Sequence, residues 1–204
     1  AERILGSDVV RISLDGSDPE ILTDQTGVYG SPSVGPDGQI VCVGYEDALV
    51  FPCNNHIVLL GDDGFTWLTR SYDRDWNEFP VHRAPSWQGD ELIGVVADRG
   101  SVHLHTVSLD GTTTPLVTGD RWVMGWSEAS GTLAFVAEDS THPCEVYAVV
   151  DGEERKLTTL TDAFARTANP QRAERFTAPS PDSDGREVDA WIVTPPDFDE
   201  TKSY

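Results

Sequence analysis

The sequence predicts an all-β fold, a partial β-propeller, and three observations lead to this prediction. A phrase made of a strand, an Asp-Gly turn and a second strand occurs four times in the 204 residues. A second phrase, a turn followed by an apolar run, alternates with the first. Before residue 158, no stretch longer than a turn or two has the periodicity of a helix. Such a repeat is typical of four-stranded propeller blades.

The first phrase begins with an alternating apolar strand and closes with Leu-Thr or a near equivalent. Its turns are Asp15-Gly16, Asp63-Gly64, Asp110-Gly111 and Asp151-Gly152. The four glycines are 48, 47 and 41 residues apart, which matches the blade period of roughly 40–50 residues. Asp-Gly favours a tight hairpin because both turn positions need positive φ. The closing pairs are Leu22-Thr23, Leu68-Thr69, Leu116-Val117 and Leu157-Thr158.

The second phrase places a turn directly before a nearly continuous apolar run. The runs cover residues 40–43, 92–96 and 133–136. An unbroken apolar run of this length suits a strand that is buried on both faces. Blades stacked face to face provide that environment, so we expect these runs to be the central strands of blades.

Together the phrases predict half a blade at about 8–23 and full blades at about 28–70, 79–118 and 122–158. Residues 159–172 are predicted to be a connector, with a short helix or irregular chain over 161–172. The partial propeller therefore covers residues 1–172, and residues 173–204 form a separate junction. Sandwiches and barrels also contain short strands at regular spacing. They do not require two alternating phrases with a fixed period.

The charge of the chain limits its partners. There are 35 acidic and 14 basic residues, a formal net charge of −21, so we expect neither nucleic acid nor a membrane as a partner. No apolar run approaches the roughly 20 residues of a transmembrane helix, and no signal peptide is visible at the start. The odd, sparse set of three cysteines favours a reducing compartment, and the predicted location is cytoplasmic.

Two parts of the sequence resemble known families. The blade phrases, with Pro36-Asp37-Gly38 before an apolar strand, resemble the TolB-like propeller repeat. The end of the chain is similar to the junction between propeller and α/β-hydrolase domain in the prolyl oligopeptidase family, especially its acylaminoacyl-peptidase-like branch. The residues of this junction are Ser180-Pro181-Asp182-Ser183-Asp184-Gly185, then Val188-Asp189-Ala190-Trp191-Ile192-Val193, and then Thr194-Pro195-Pro196, with Tyr204 last. Asp73-Arg74, and Pro143 before Glu145-Val146-Tyr147, also resemble blades of this branch.

This resemblance implies a parent serine peptidase that acts on short peptides by a Ser-His-Asp acyl-enzyme route. The propeller would cap the active site and restrict access by size. The strand within 173–204 would be the first of the hydrolase domain, and the triad would follow it in sequence. The segment would then have no catalytic residue and no cofactor. A TolB-like binding propeller without enzymatic activity and a glycan-active propeller remain alternatives.

The sequence motifs likewise predict that the chain contains no catalytic site. The sequence contains no Gly-x-Ser-x-Gly elbow, the turn that exposes the nucleophile of α/β-hydrolases. The glycine-serine pairs lie at predicted turns or strand edges and are not expected to be nucleophiles. They are Gly6-Ser7, Gly16-Ser17, Gly30-Ser31 and Gly100-Ser101.

A metal site is also not predicted. Cys53 and His56 have a metal-like spacing, and His142 and Cys144 form a tighter pair, but structural zinc needs four ligands in a closed set. His103 and His105 share one strand face. Glu153-Glu154 follows a hairpin turn. Dipeptidyl-peptidase relatives hold a substrate's amino terminus with such a pair, but we interpret these two residues as a solvated turn.

The six tryptophans are predicted to be mainly structural. Four of them, Trp67, Trp87, Trp126 and Trp191, fall on predicted strands, where large aromatic side chains fill space between blades. Trp76 and Trp122 fall near loops, and one of the two is a candidate for lining a central channel. A partial propeller has open strand edges, so self-association of the chain is a further expectation.

Overall fold

The computed structural model describes residues 6–61, 64–77, 83–181 and 185–203. Asp63 of the second Asp-Gly turn, residue 79 of the second predicted full blade, Asp182 to Asp184 of the junction and Tyr204 lie outside the described residues. Sixteen strands and one helix occur in the described part. The strands are β1 (Val10–Arg11), β2 (Glu20–Ile21), β3 (Val28–Val34), β4 (Ile40–Tyr45), β5 (His56–Gly61), β6 (Gly64–Trp67), β7 (Ser86–Gln88), β8 (Glu91–Asp98), β9 (Ser101–Ser108), β10 (Thr113–Val117), β11 (Trp122–Ala129), β12 (Thr132–Glu138), β13 (Glu145–Val150), β14 (Glu153–Lys156), β15 (Glu174–Pro179) and β16 (Glu187–Ile192). The helix is α1 (Asp162–Ala168), within the predicted connector.

Most of the strands form three antiparallel meanders of four strands each. Meander I consists of β3–β6, meander II of β7–β10 and meander III of β11–β14. A two-stranded N-terminal hairpin, β1–β2, precedes them, and a C-terminal hairpin, β15–β16, follows. The all-β prediction is confirmed, and a row of four-stranded meanders is a propeller-like architecture. No helix among the described residues has the length and apolar character needed to cross a membrane.

Backbone hydrogen bonds join each unit to the next at corresponding places. The N–H of Tyr29, in meander I, donates to the carbonyl of Ser7, which precedes the N-terminal hairpin, at 3.0 Å. The N–H of Trp76 donates to Asn55, next to β5 of meander I, also at 3.0 Å. Between meanders II and III, a parallel bridge pairs Trp122 with Val102. Successive units of the repeat are therefore connected to one another at equivalent positions.

The closing Leu-Thr pair has a structural role at the end of each hairpin. In three of the four copies, the Leu N–H donates to the carbonyl of a residue in the first strand of the hairpin or directly before it, at 2.8–2.9 Å. The Thr hydroxyl accepts the N–H of that same residue at 2.9–3.2 Å. The three sets are Val9 with Leu22-Thr23, Ile57 with Leu68-Thr69, and Val146 with Leu157-Thr158. The copy in meander II has Val117 instead, which pairs with Leu104 and is buried in the core.

The core lies between the units, in three apolar clusters. Alternate residues of a central strand belong to different clusters, because successive side chains of a strand point to opposite faces. In β8, Leu92 and Val96 pack towards meander I, whereas Ile93 and Val95 pack towards meander III. β4 is likewise buried on both faces. The predicted two-sided burial of the apolar runs is confirmed for these two strands.

The same prediction is wrong for the third apolar run, in β12. Leu133, Phe135 and Ala137 are buried against meander II, but Ala134 and Val136 between them are partly exposed. The strand is covered on one face, because no other sheet of the described residues packs against its second face.

Two local predictions need correction. The first strand, expected over residues 9–14, is ordered as β1 for two residues, and Ile12 and Leu14 are exposed. Trp76 is fully buried between meanders I and II and therefore lines no channel. Trp122 lies near a loop as predicted, because it is the first residue of β11 and follows the loop at 118–121.

Candidate functional site

A cavity of about 370 Å³ lies where meanders II and III meet the C-terminal hairpin. We call it the junction groove. Its lining residues are Gly100, Asp120, Arg121, Trp122, Glu138, Asp139, Ser140, Ala173 and Trp191. Two neighbouring cavities, of about 360 and 280 Å³, share Asp120 with it. The groove is therefore part of a longer concave surface at one end of the sheets.

Strand ends from four parts of the chain form this groove. Asp120 and Arg121 lead into β11, and Glu138 is the last residue of β12. Gly100 is in the turn between β8 and β9, which the Trp122–Val102 bridge holds beside the start of β11. Trp191 comes from β16 of the C-terminal hairpin. Hairpin turns and strand ends on the same side of neighbouring meanders thus bring polar residues together.

The contact between Gly100 and Trp191 attaches the C-terminal hairpin to meander II. Gly100 has a φ of +79°, and a Cβ at this position would lie 2.4 Å from Cζ2 of the Trp191 indole. The missing side chain therefore permits both the turn and the close approach of the ring. Trp191 remains 42% exposed, so the rest of its surface faces the groove and solvent.

Two arginines beside the junction groove, Arg121 and Arg172, are neutralised by acidic partners. Nη1 of Arg121 donates to Oε1 of Glu154 at 2.7 Å, and its guanidinium lies 5.8 Å and 5.7 Å from the ring centroids of Phe135 and Tyr147. Nη2 of Arg172 donates to Oδ2 of Asp120 at 3.2 Å. These contacts leave the groove acidic, because its two other carboxylates have no arginine or lysine partner among the residues that the structure describes.

Those two carboxylates are Asp139 and Glu138. Oδ1 of Asp139 accepts the N–H and the hydroxyl of Thr141, both at 2.7 Å, and the N–H of His142 at 2.8 Å. Burial would raise the pKa of Asp139, but these hydrogen bonds outweigh it and keep the pKa below its ordinary value. Glu138 accepts the thiol of Cys144 at 3.4 Å. Burial, and after it the Glu138 carboxylate, raise the pKa of that thiol.

A buried carboxylate of meander III holds the connector. Glu145 in β13 has no solvent exposure. It accepts hydrogen bonds from the hydroxyls of Thr158 and Thr161 and from the N–H groups of Leu160 and Thr161. Burial acts to raise its pKa, but these four donors lower it to about 2. The acid thereby fixes the chain that leads from meander III to the C-terminal hairpin.

The two pairs considered for metal binding, Cys53 with His56 and His142 with Cys144, lie in different meanders or beside them. Cys53 is exposed and His56 is half-buried, and both line a separate cavity of about 250 Å³ beside Trp67 and Arg70. Within the described ranges, no group of three or more His, Cys, Asp and Glu side chains is placed to hold a metal ion. The three cysteines are free thiols.

The remaining candidates have structural contacts. His105 is 3% exposed and lies edge-on to Tyr72 and Trp76. Burial, followed by the nearby His103, lowers the pKa of His105 below 6.5. Nε2 of His103 lies 2.9 Å from the Gly119 carbonyl.

The Glu153-Glu154 pair is exposed to solvent as expected, but it lies in the strand after the turn and not in the turn itself. Both residues belong to β14, and each is in an ion pair. Glu153 pairs with Arg155 at 3.0 Å, and Glu154 pairs with Arg121 at 2.7 Å.

Sequence analysis did not identify the junction groove. Its principal side chains, Trp122, Glu138, Asp139 and Trp191, are separated by as many as 69 residues and share no motif. The feature that these residues share is their position, because each of them lies at a strand end or in the C-terminal hairpin. Recognising it would have required the mutual placement of meander III and that hairpin.

The fold is similar to those of several solved peptidases and hydrolases. Pyrococcus horikoshii acylaminoacyl peptidase superposes with a TM-score of 0.74 at 21% identity, over 92% of this chain and 28% of that one. The chain has the fold of an acylaminoacyl peptidase segment. Puromycin hydrolase gives a TM-score of 0.60 at 20% identity, covering 93% of this chain and 30% of its own. The β-propeller domain of the Trilobed protease from Pyrococcus furiosus gives 0.56 at 16% identity, covering 74% of this chain and 50% of its own.

These comparisons confirm the predicted resemblance at the level of the fold. The chain spans 28% to 50% of the length of these three structures. No protein-family model and no curated protein matches the sequence.

Proposed function

We propose that the chain is a non-catalytic propeller segment of a prolyl oligopeptidase-family serine peptidase. The observation that supports this most directly is the similarity to acylaminoacyl peptidase over 92% of the chain. In this proposal meanders I to III are three full blades, and β1–β2 is the outer half of a preceding blade. The propeller part ends at residue 172, after the connector.

The C-terminal hairpin is proposed to begin the hydrolase domain, within 173–204. One face of this hairpin contains Phe176, Val188 and Ile192, which are 48%, 51% and 50% exposed. Large apolar side chains on one face of a two-stranded sheet are normally covered by another layer. The core of a following α/β domain is the cover that this proposal supplies.

In the parent protein, the segment is proposed to cap the active site and to admit short peptides. A Ser-His-Asp triad in the remaining sequence would form the acyl-enzyme. One similar structure is an acylaminoacyl peptidase in complex with Z-Gly-Gly-Phe-chloromethyl ketone, which supports a peptide as the substrate class.

A fluorophosphonate probe on the complete parent protein tests the enzymatic part, because labelling requires an activated serine. We expect labelling of the parent and none of the 204-residue chain alone. A parent that is not labelled would support the TolB-like binding propeller instead.

Substrate length tests the proposed cap. An acylated tripeptide should be cleaved with a kcat/KM at least about 100-fold above that of the same tripeptide embedded in a long unfolded chain, because the cap excludes long chains from the near-attack geometry. Equal values for the two substrates would contradict the restriction of access.

A further inference from the structure

The junction groove has the composition of a site for one organic cation. The indole of Trp122 forms part of its lining and the half-exposed indole of Trp191 another part, with the carboxylates of Glu138 and Asp139 beside them. Indole faces attract ammonium and guanidinium groups through the electrostatic field of the ring. A cavity of about 370 Å³ is at the lower end of the range for ligand sites, so it suits a single side chain.

The charged residues that line the groove favour a positive ligand. Among the described residues of the lining, Arg121 is the one basic residue, and its guanidinium is bonded to Glu154 and packed near two aromatic rings. Asp120 is paired with Arg172. Glu138 has the Cys144 thiol as its hydrogen-bond donor, and Asp139 has Thr141 and the His142 backbone, with Nδ1 of His142 at 3.4 Å. Within the described part of the chain, two carboxylates therefore remain without a permanently charged partner.

We propose that the junction groove binds the guanidinium or ammonium side chain of an arginine or lysine residue in a peptide. The cation would lie between the indoles of Trp122 and Trp191, and Glu138 and Asp139 would neutralise it. Because Trp191 belongs to the C-terminal hairpin and the other three residues to meander III or the turn after it, the ligand would also link these two parts. This inference concerns binding alone and is independent of any hydrolase domain.

Binding of Nα-acetyl-L-arginine methylamide to the 204-residue chain tests the proposal. Its matched control is Nα-acetyl-L-citrulline methylamide, which has nearly the same shape without the positive charge. In ¹⁵N-indole NMR spectra, we expect saturable shifts of the Trp122 and Trp191 Nε1–H signals with the arginine compound. The citrulline compound should bind at least about tenfold more weakly, because cation–π and ionic attraction are absent.

Two pairs of variants separate the groove from general attraction to an acidic surface. Glu138→Gln and Trp191→Leu should each weaken binding of the arginine compound roughly tenfold. Their controls outside the groove, Glu153→Gln and Trp67→Leu, should leave binding unchanged within about twofold, since they make the same chemical changes elsewhere.

Several results would overturn the proposal. They are equal binding of the arginine and citrulline compounds, an equal effect of Glu138→Gln and Glu153→Gln, or the absence of saturable shifts at Trp122 and Trp191. If Trp191→Leu detaches the hairpin, the Glu138→Gln comparison still decides the question, because that substitution leaves the contact between Gly100 and Trp191 intact.

Discussion

Meanders II and III have the same number of strands and the same strand order, but they differ in how many faces are covered. Every residue of the apolar run in β8 is buried, because meander I packs on one face and meander III on the other. In β12 alternate residues are buried, because meander II covers a single face. The comparison shows that one sequence phrase produces two kinds of strand, and that neighbouring units decide which kind it is.

Meander III has contacts of its own at one end of its strand β13. Glu145 is buried there and bonds the connector after β14. In meander II the corresponding end of the sheet is closed by apolar packing of Val117. Meander II, which is covered on both faces, is thus held mainly by apolar contacts. Meander III, which is covered on one face, also depends on a network of hydrogen bonds.

Among the substitutions, we expect the largest effect on stability from valine-to-alanine changes in the central strands β8 and β12. Val95→Ala in β8 should lower the free energy of unfolding by about 2 kcal/mol, because it removes fully buried methyl groups. Val136→Ala in β12 should cost less than about 1 kcal/mol, because that side chain is partly exposed. Urea unfolding measures both. Equal losses would show that the second face of β12 is covered in solution.

The next prediction concerns the last residue of the closing pair in each meander, Thr158 in meander III and Val117 in meander II. Thr158→Val should destabilise the chain by about 1.5 kcal/mol, because the Val146 N–H loses its acceptor and Glu145 loses a donor. Val117→Thr should also destabilise, by about 1 kcal/mol, because it places a hydroxyl in an apolar cluster. Thermal unfolding of both single variants tests this. If either substitution is neutral or stabilising, it contradicts the conclusion that hydrogen bonds hold this end of meander III and apolar packing holds that of meander II.

A smaller difference concerns the turns before β9 and β12. Gly100 and Gly131 have nearly the same φ, +79° and +77°, but no atom of the described residues lies within 4 Å of the Cβ position of Gly131. Alanine at either site should cost about 1 kcal/mol for the left-handed backbone. Gly100→Ala should cost additional stability, below about 1 kcal/mol, through its clash with Trp191. That additional loss should vanish in a Trp191→Ala background; if it persists there, the indole contact is not its cause.

A separate comparison concerns two steps in the pH dependence of stability. The pKa of His105, in meander II, is lowered in the folded chain, so the unfolded chain binds a proton first as the pH falls below 6.5. Stability from this group is therefore complete above pH 6.5 and decreases below it. Glu145, in meander III, has a folded pKa of about 2, so its contribution is complete above pH 4.5 and is lost towards pH 2.

Single variants assign these two steps. His105→Phe should flatten the dependence below pH 6.5 and leave the lower window unchanged, and Glu145→Gln should do the reverse. Urea midpoints measured at intervals from pH 8 to pH 2 provide the test, since they report the slope of stability in each window. An unchanged slope in either variant would show that the residue does not titrate between the folded and unfolded states as described.

Much of the fold was predictable because its signals are local. The Asp-Gly turns, the alternation of apolar residues and the closing Leu-Thr pairs each operate within one hairpin, as the bonds of Thr69 and Thr158 to their strands show. The short helix within 161–172 was also open to prediction. None of these features depends on which unit lies next along the row.

Sequence by itself thus determined the strands, the turns and the repeating four-stranded unit, because hydrogen bonding and side-chain alternation act over a few residues. Tertiary structure alone decided that β8 is covered twice and β12 once, and that Trp122, Glu138 and Trp191 form one groove. The physical reason is that burial and the meeting of strand ends depend on the packing of units whose residues are far apart in sequence.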